Sequence, residues 1–211
     1  MRAGTACGYS VSADGSAEVH GMKAARMIVV LACITGATPP VGSASDRPQE
    51  DRPMAFVLTS TAFPANGAIP RRHTCEGEDV SPPLAWSGVP KETKSLALIV
   101  DDPDAPDPKA PRMIWVHWVL YNIPPATSGL AAGAITTNLP AGAKEGVNDW
   151  KQAGYRGPCP PVGRHRYFHR LYALDIALPD LKSPTKARLE KAMQGHILAQ
   201  AELVGTYQGS R

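Results

Sequence analysis

The chain has 211 residues, of which 43% are hydrophobic and 19% charged, and its 19 Gly and 21 Pro make roughly one residue in five a breaker of regular structure. That favours many short elements in one domain with an extension, and it excludes a disordered tail or a small scaffold that needs disulfide or metal staples. Net charge is +3, from 22 basic and 19 acidic residues with no Lys/Arg run of five, so no nucleic-acid partner is implied.

The first forty-odd residues read as a targeting segment. Met22 to Arg26 is basic, Met27 to Ala37 apolar, and Gly42-Ser43-Ala44 a small-residue end, the layout of a secretory signal peptide. The expectation is that residues 1–21 are a misassigned upstream extension, residues 22–44 the signal peptide, and Ser45 the region where the mature chain begins. The apolar run is shorter than the about 20 residues a spanning helix needs, so no transmembrane anchor is expected in the mature chain. The protein is therefore expected in the periplasm or secreted, with lipid attachment at Cys33, in the faint lipoprotein box Val30-Leu31-Ala32-Cys33, as the minor alternative. Cys7 and Cys33 leave with the extension. Cys75 and Cys159 remain as an even count in an oxidising compartment, and a disulfide between them is expected, a reactive thiol being the alternative. Closing so long a loop restricts the unfolded chain by about 4–5 kcal/mol.

Residues 45–53 form a polar, flexible lead-in, and residues 54–211 the folded domain. Met54 to Ser60 reads as a strand, Ile69 to Pro83 as a polar loop carrying His73, Cys75, Glu76, Glu78 and Asp79, and Leu84-Ala85-Trp86 as a second short strand. Ser95 to Val100 is a buried strand that stops at Asp101-Asp102-Pro103-Asp104-Ala105-Pro106. In the apolar strand Met113 to Tyr121, strict alternation puts Trp115, His117, Val119 and Tyr121 on one face and Ile114, Val116, Trp118 and Leu120 on the other. A strand apolar on both faces lies between layers. Pro124 to Trp150 is a long irregular connection, a kind that is commonly functional or mobile. Arg164 to Asp175 is a strand with His165, Tyr167, His169 and Leu171 on one face. Ser183 and Pro184 open a helix with Leu189, Met193 and Ile197 on its apolar side and a break or bend at Gly195, and Ala201 to Tyr207 is a last short strand. Five or six strands against one or two helices predict a mainly-β domain.

Taken singly, the unusual segments have ordinary explanations. A His inside an apolar strand is most often a satisfied core residue, Asp-Pro-Asp-Ala-Pro a rigid turn, and Gly-Pro-Cys-Pro-Pro a stiff loop. In order along the chain they say more. Thr74 to Trp86, Asp101 to Pro106, Trp115-Val116-His117-Trp118, Gly157 to Pro161, His165-Arg166-Tyr167 and Gly195 to Tyr207 together resemble the phosphatidylethanolamine-binding protein family, in its bacterial Raf-kinase-inhibitor-like branch. The resemblance implies a Greek-key-like β-sandwich of two antiparallel sheets with one or two C-terminal helices. It also implies a small pocket for phosphate-bearing head groups or similar anions, with no cofactor. By motif, the ligand-binding residues would be Asp102, Asp104, Trp115, His117, Gly157, Pro161, His165 and Tyr167, with imidazoles and a phenol donating to anion oxygens and prolines forming rigid walls. Asp102 is expected to fix a His tautomer and favour its charged form. Two residues depart from the branch's pattern: Arg156 stands where Gly is usual, adding a cation at the rim, and His169 replaces an aromatic or apolar residue.

The leading expectation is an exported, non-catalytic binding protein for a small phosphorylated or anionic ligand. A hydrolase reading lacks a Gly-x-Ser-x-Gly elbow and an evident nucleophile unless Cys159 is free. A metal site from His73, His117, His165 and His169 lacks any short-range ligand pair. The alternative function is a protein–protein regulator, kinase- or protease-inhibitor-like, that uses the pocket rim to hold a protein partner.

Overall fold

The computed structural model describes residues 54–134 and 138–210, so the expected upstream extension, signal peptide and lead-in lie outside the described residues. In chain order the elements are β1 (Val57–Thr59), β2 (Leu84–Ser87), β3 (Ser95–Asp102), β4 (Trp115–Ile123), β5 (Gly129–Leu130), β6 (Lys144–Glu145), β7 (Arg164–Leu174), α1 (Lys186–Met193) and β8 (Ile197–Gln208). They form two antiparallel sheets, a three-stranded one in the order β1-β2-β5 and a five-stranded one in the order β6-β4-β3-β7-β8.

Every residue of β3 is buried, as its apolar composition requires of a strand with a layer on each side. Leu96, Leu98 and Val100 face the smaller sheet and pack with Leu58, Trp86, Trp118, Leu171 and Leu203 in the sandwich core. Ala97 and Ile99 face the opposite way and pack with Val119, Tyr121, Leu189 and Met193, so α1 covers the outer face of the larger sheet. The domain is a mainly-β sandwich with one α-helix among the described residues.

Three details differ from the sequence reading. The alternation of β4 breaks at His117. Val100 pairs with Trp118 and Asp101 with Val116, so His117 is an extra residue opposite one step of β3. This β-bulge reverses which face later residues occupy: Trp118 and Leu120 join the sandwich core, whereas Val116, Val119 and Tyr121 lie on the helix side. His117 therefore does not share a face with Val119 and Tyr121. Second, α1 is capped by Thr185, whose hydroxyl accepts from the Arg188 N–H at 3.3 Å, rather than by Ser183. Third, Ile197 begins β8 instead of closing the helix face, because Gly195 at φ +80° ends the helical stretch and β8 runs twelve residues along β7.

Candidate functional site

At one end of the larger sheet the bulge in β4, the end of β3 and the start of β7 converge with the loops 73–80 and 149–162. Between them lies a cavity of about 550 Å³. Six of the eight residues proposed from the sequence line it: Asp102, Trp115, His117, Gly157, Pro161 and His165. The other two stand behind or beside it. Asp104 is taken up by Arg166, accepting from its backbone N–H at 2.9 Å and from Nε and Nη2 at 2.9 and 2.7 Å. This guanidinium holds the Asp104 carboxyl below the usual range. Tyr167 is buried, edge-on to His117 at 5.2 Å and stacked on His165 at 6.5 Å, with its hydroxyl turned to the Asp102 carboxylate. Burial first, then the neighbouring Asp102 carboxylate, push its pKa up.

Asp102 and His165 form a buried pair. Asp102 Oδ2 lies 2.7 Å from His165 Nδ1, and His165 Nε2 lies 2.9 Å from the Val162 carbonyl. Both ring nitrogens thus face acceptors. The other carboxylate oxygen, Oδ1, accepts from the Asp104 N–H at 2.8 Å and closes the acidic turn. His165 consequently keeps no ring nitrogen free for a ligand. Its place is to hold Asp102 and shape the cavity floor.

His117 is different. Its Nδ1 lies 2.6 Å from the Arg156 carbonyl, which can only accept, while Nε2 is buried without a partner. Burial pushes the ring's pKa down, opposed in part by the Arg156 carbonyl and Asp102. In the neutral ring Nδ1 carries the proton and Nε2 the lone pair. The ring is packed edge-on against Trp150 at 5.2 Å, and Trp150 in turn against Trp115 at 5.3 Å. Trp150 is held there because Asp149 grips the bulged strand, accepting from Val116 N–H at 2.8 Å and donating its own N–H to the Val116 carbonyl at 3.0 Å.

The outer wall is two loops tied together. Cys75 and Cys159 form a disulfide, with Cα atoms 5.4 Å apart. Beside it, Cys75 N–H donates to the Pro158 carbonyl, Tyr155 hydroxyl to the His73 carbonyl, Gly157 N–H to Asp79 Oδ1, and Arg156 Nη1 to Asp79 Oδ2. Gly157 is required here, because a Cβ would run into the His73 carbonyl oxygen. Sequence reasoning left Trp150, Asp79 and Met113 out of the site. Trp150 closes the long connection flagged as functional, and Asp79 sits inside the Thr74–Trp86 motif, but neither carried a chemical signature of its own.

A family model described as phosphatidylethanolamine-binding protein matches residues 59–208. The chain belongs to the phosphatidylethanolamine-binding protein family. Among curated relatives of this family, it is 52% identical over 151 residues to a UPF0098 protein of Methanothermobacter thermautotrophicus, covering 71% of this chain and 97% of the relative. A UPF0098 protein of Chlamydia muridarum is 48% identical, covering 72% and 97%. Two crystal structures match with comparable geometry. A phosphatidylethanolamine-binding protein homologue from Chlamydia trachomatis has TM-score 0.68 at 46% identity, with 74% of this chain and 99% of that one covered. Escherichia coli YbcL has TM-score 0.67 at 34% identity, with the same coverage.

Proposed function

We propose that the cavity binds a small phosphate-bearing head group or similar anion, and that the protein acts by binding rather than by catalysis. The observation that carries this reading is the buried, unpartnered His117 Nε2 in a cavity bordered by Arg156 and by the Asp102–His165 pair. A buried polar atom left without a partner is costly, and a ligand oxygen supplies one. Arg156 adds a cation at the rim, while Pro106, Pro160 and Pro161 give rigid walls without backbone donors. Both cysteines of the lining are joined, so the cavity offers no free thiol as nucleophile. Burial disfavours a charged His117, so anion capture is coupled to one proton shared between ring and ligand, and affinity is expected to weaken as pH rises from about 5 to 8.5.

The test is a titration of the domain with inorganic phosphate and with phosphoethanolamine, followed by histidine NMR. Saturable shifts at His117, lost in Asp102→Ala, are expected. A folded spectrum that does not respond to either compound overturns the reading.

Export belongs to the same proposal. It is supported by the disulfide and by the leader-like residues 22–44. Terminal sequencing of the protein from fractionated cells should find a start near Ser45, and a cytosolic protein with an intact leader would contradict it. A second reading, a regulator that holds a protein partner at the rim, is favoured by one observation: Met113, Ile114 and Val162 are 49%, 51% and 55% exposed beside the cavity mouth. It predicts that Ile114→Asn, a change outside the cavity lining, leaves phosphate affinity unchanged and abolishes inhibition of a target peptidase or kinase.

A further inference from the structure

We infer that the cavity reads a proton on its ligand: it selects an oxyanion that keeps an acidic O–H, such as inorganic phosphate or a phosphate monoester monoanion, over one that has none. The inference rests on the anion reading and adds which anion. Its basis is the count of donors and acceptors around His117. The Arg156 carbonyl can only accept, so it holds the Nδ1 proton and leaves Nε2 as a lone pair. His165 offers nothing in exchange, because Asp102 and the Val162 carbonyl occupy both of its nitrogens. The three prolines of the lining have no N–H. An oxyanion without a proton would set one of its own lone pairs against Nε2. An oxyanion with an O–H donates to it.

The charged groups around the ring come from three elements. Asp101 and Asp102 approach from β3, His165, His169 and Tyr167 from β7, and Asp79 and Arg156 from the loops. The two nearest charge pairs are already closed, Asp102 with His165 at 2.7 Å and Asp79 with Arg156 at 3.0 Å. The carboxylates favour a proton on the imidazole, but burial, the larger influence, opposes it, and no acceptor stands at Nε2 to hold one. His117 is then a specificity residue, not merely an anchor.

Calorimetric titration of the intact domain tests this with two ligand pairs. Near pH 7.5, inorganic phosphate should bind about tenfold tighter than sulfate, the size expected of one hydrogen bond exchanged for a lone-pair clash. Phosphoethanolamine and glycerophosphoethanolamine both carry the ammonium group, but only the monoester can hold a phosphate proton, with a pKa of about 6. The monoester should bind tighter near pH 5.5 and lose that advantage by pH 8, which also separates a soluble phosphate compound from a lipid-type diester as the source of the ligand. Nitrogen-15 NMR of the wild-type complex, which needs no variant, should show Nε2 unprotonated with phosphate bound.

Sulfate binding as tightly as phosphate, the diester equalling the monoester at pH 5.5, or an imidazolium His117 in the complex each overturns the inference while leaving the anion site standing. Binding of none of the four compounds overturns the anion reading and this inference with it.

Discussion

Asp101 and Asp102 are neighbours in sequence and equally buried, yet the pleat of β3 sends them to opposite faces of the larger sheet and into different chemistry. Asp101 faces α1. It meets Arg170 Nη1 at 2.7 Å and Lys186 Nζ at 3.2 Å, and Arg170 and Lys186 continue to Glu202 and Glu190, so the carboxylate clasps helix and sheet with permanent cations. Asp102 faces the cavity and meets one imidazole. A permanent cation fastens structure at any physiological pH. His165 holds its place through two hydrogen bonds, to Asp102 and to the Val162 carbonyl. Function is to be sought on the face where the carboxylate borders a cavity and the packing is left open.

The cavity face carries a covalent tie, and removing it with Cys75→Ser and Cys159→Ser together is expected to lower stability by up to about 4–5 kcal/mol in chemical denaturation. The four hydrogen bonds that remain between the same loops should keep the fold and most of the ligand affinity. Substituting either aspartate by Asn breaks a buried ion pair, at about 3–5 kcal/mol. Only Asp102→Asn should also weaken phosphate binding, by more than tenfold. Loss of binding in a folded Asp101→Asn variant would erase the distinction between the two faces.

A third expectation concerns His169, the departure noted in the sequence. It is buried in the sandwich core, tilted on Phe63 at 5.6 Å, with its ring nitrogens towards the Tyr167 and Leu203 backbone. Burial lowers its pKa from 6.5 to about 4. The unfolded chain therefore binds the proton more readily than the folded one, and stability should fall as pH drops from about 6.5 towards 4, by roughly 3 kcal/mol in total. His169→Leu should flatten much of that slope in thermal melts across the range, leaving the part that His117 contributes in the same direction. The smallest effect belongs to the helix side: Thr185→Ala removes the cap of α1 and should cost about 1 kcal/mol without touching phosphate affinity.

Much of this was legible in the sequence. The uninterrupted apolar run of β3 announced a central strand. The ordered motifs brought Asp102, Trp115, His117, Gly157, Pro161 and His165 to one cavity. What stayed hidden has a common physical origin, the third dimension of loops and of register. A period-two reading cannot see a bulge, because the extra residue is defined by the partner strand; hence the misplaced faces of Val119 and Tyr121. The commitment of both His165 nitrogens depends on the Val162 carbonyl, three residues back in a turn whose path no motif specifies. Trp150 reaches the site through Asp149 gripping β4, a contact across thirty-three residues. Ser183-Pro184 looked like a helix start because its residue types suit one, but Thr185 sits one turn before the first free N–H that a side chain can satisfy.

The most direct test of the account is a crystal structure of the domain grown with saturating phosphoethanolamine. The account predicts the phosphate in the cavity, one oxygen within hydrogen-bond distance of His117 Nε2, and the Asp102–His165 pair unchanged beside it. An empty cavity, or a phosphate bound elsewhere with His117 Nε2 still unpartnered, would contradict it.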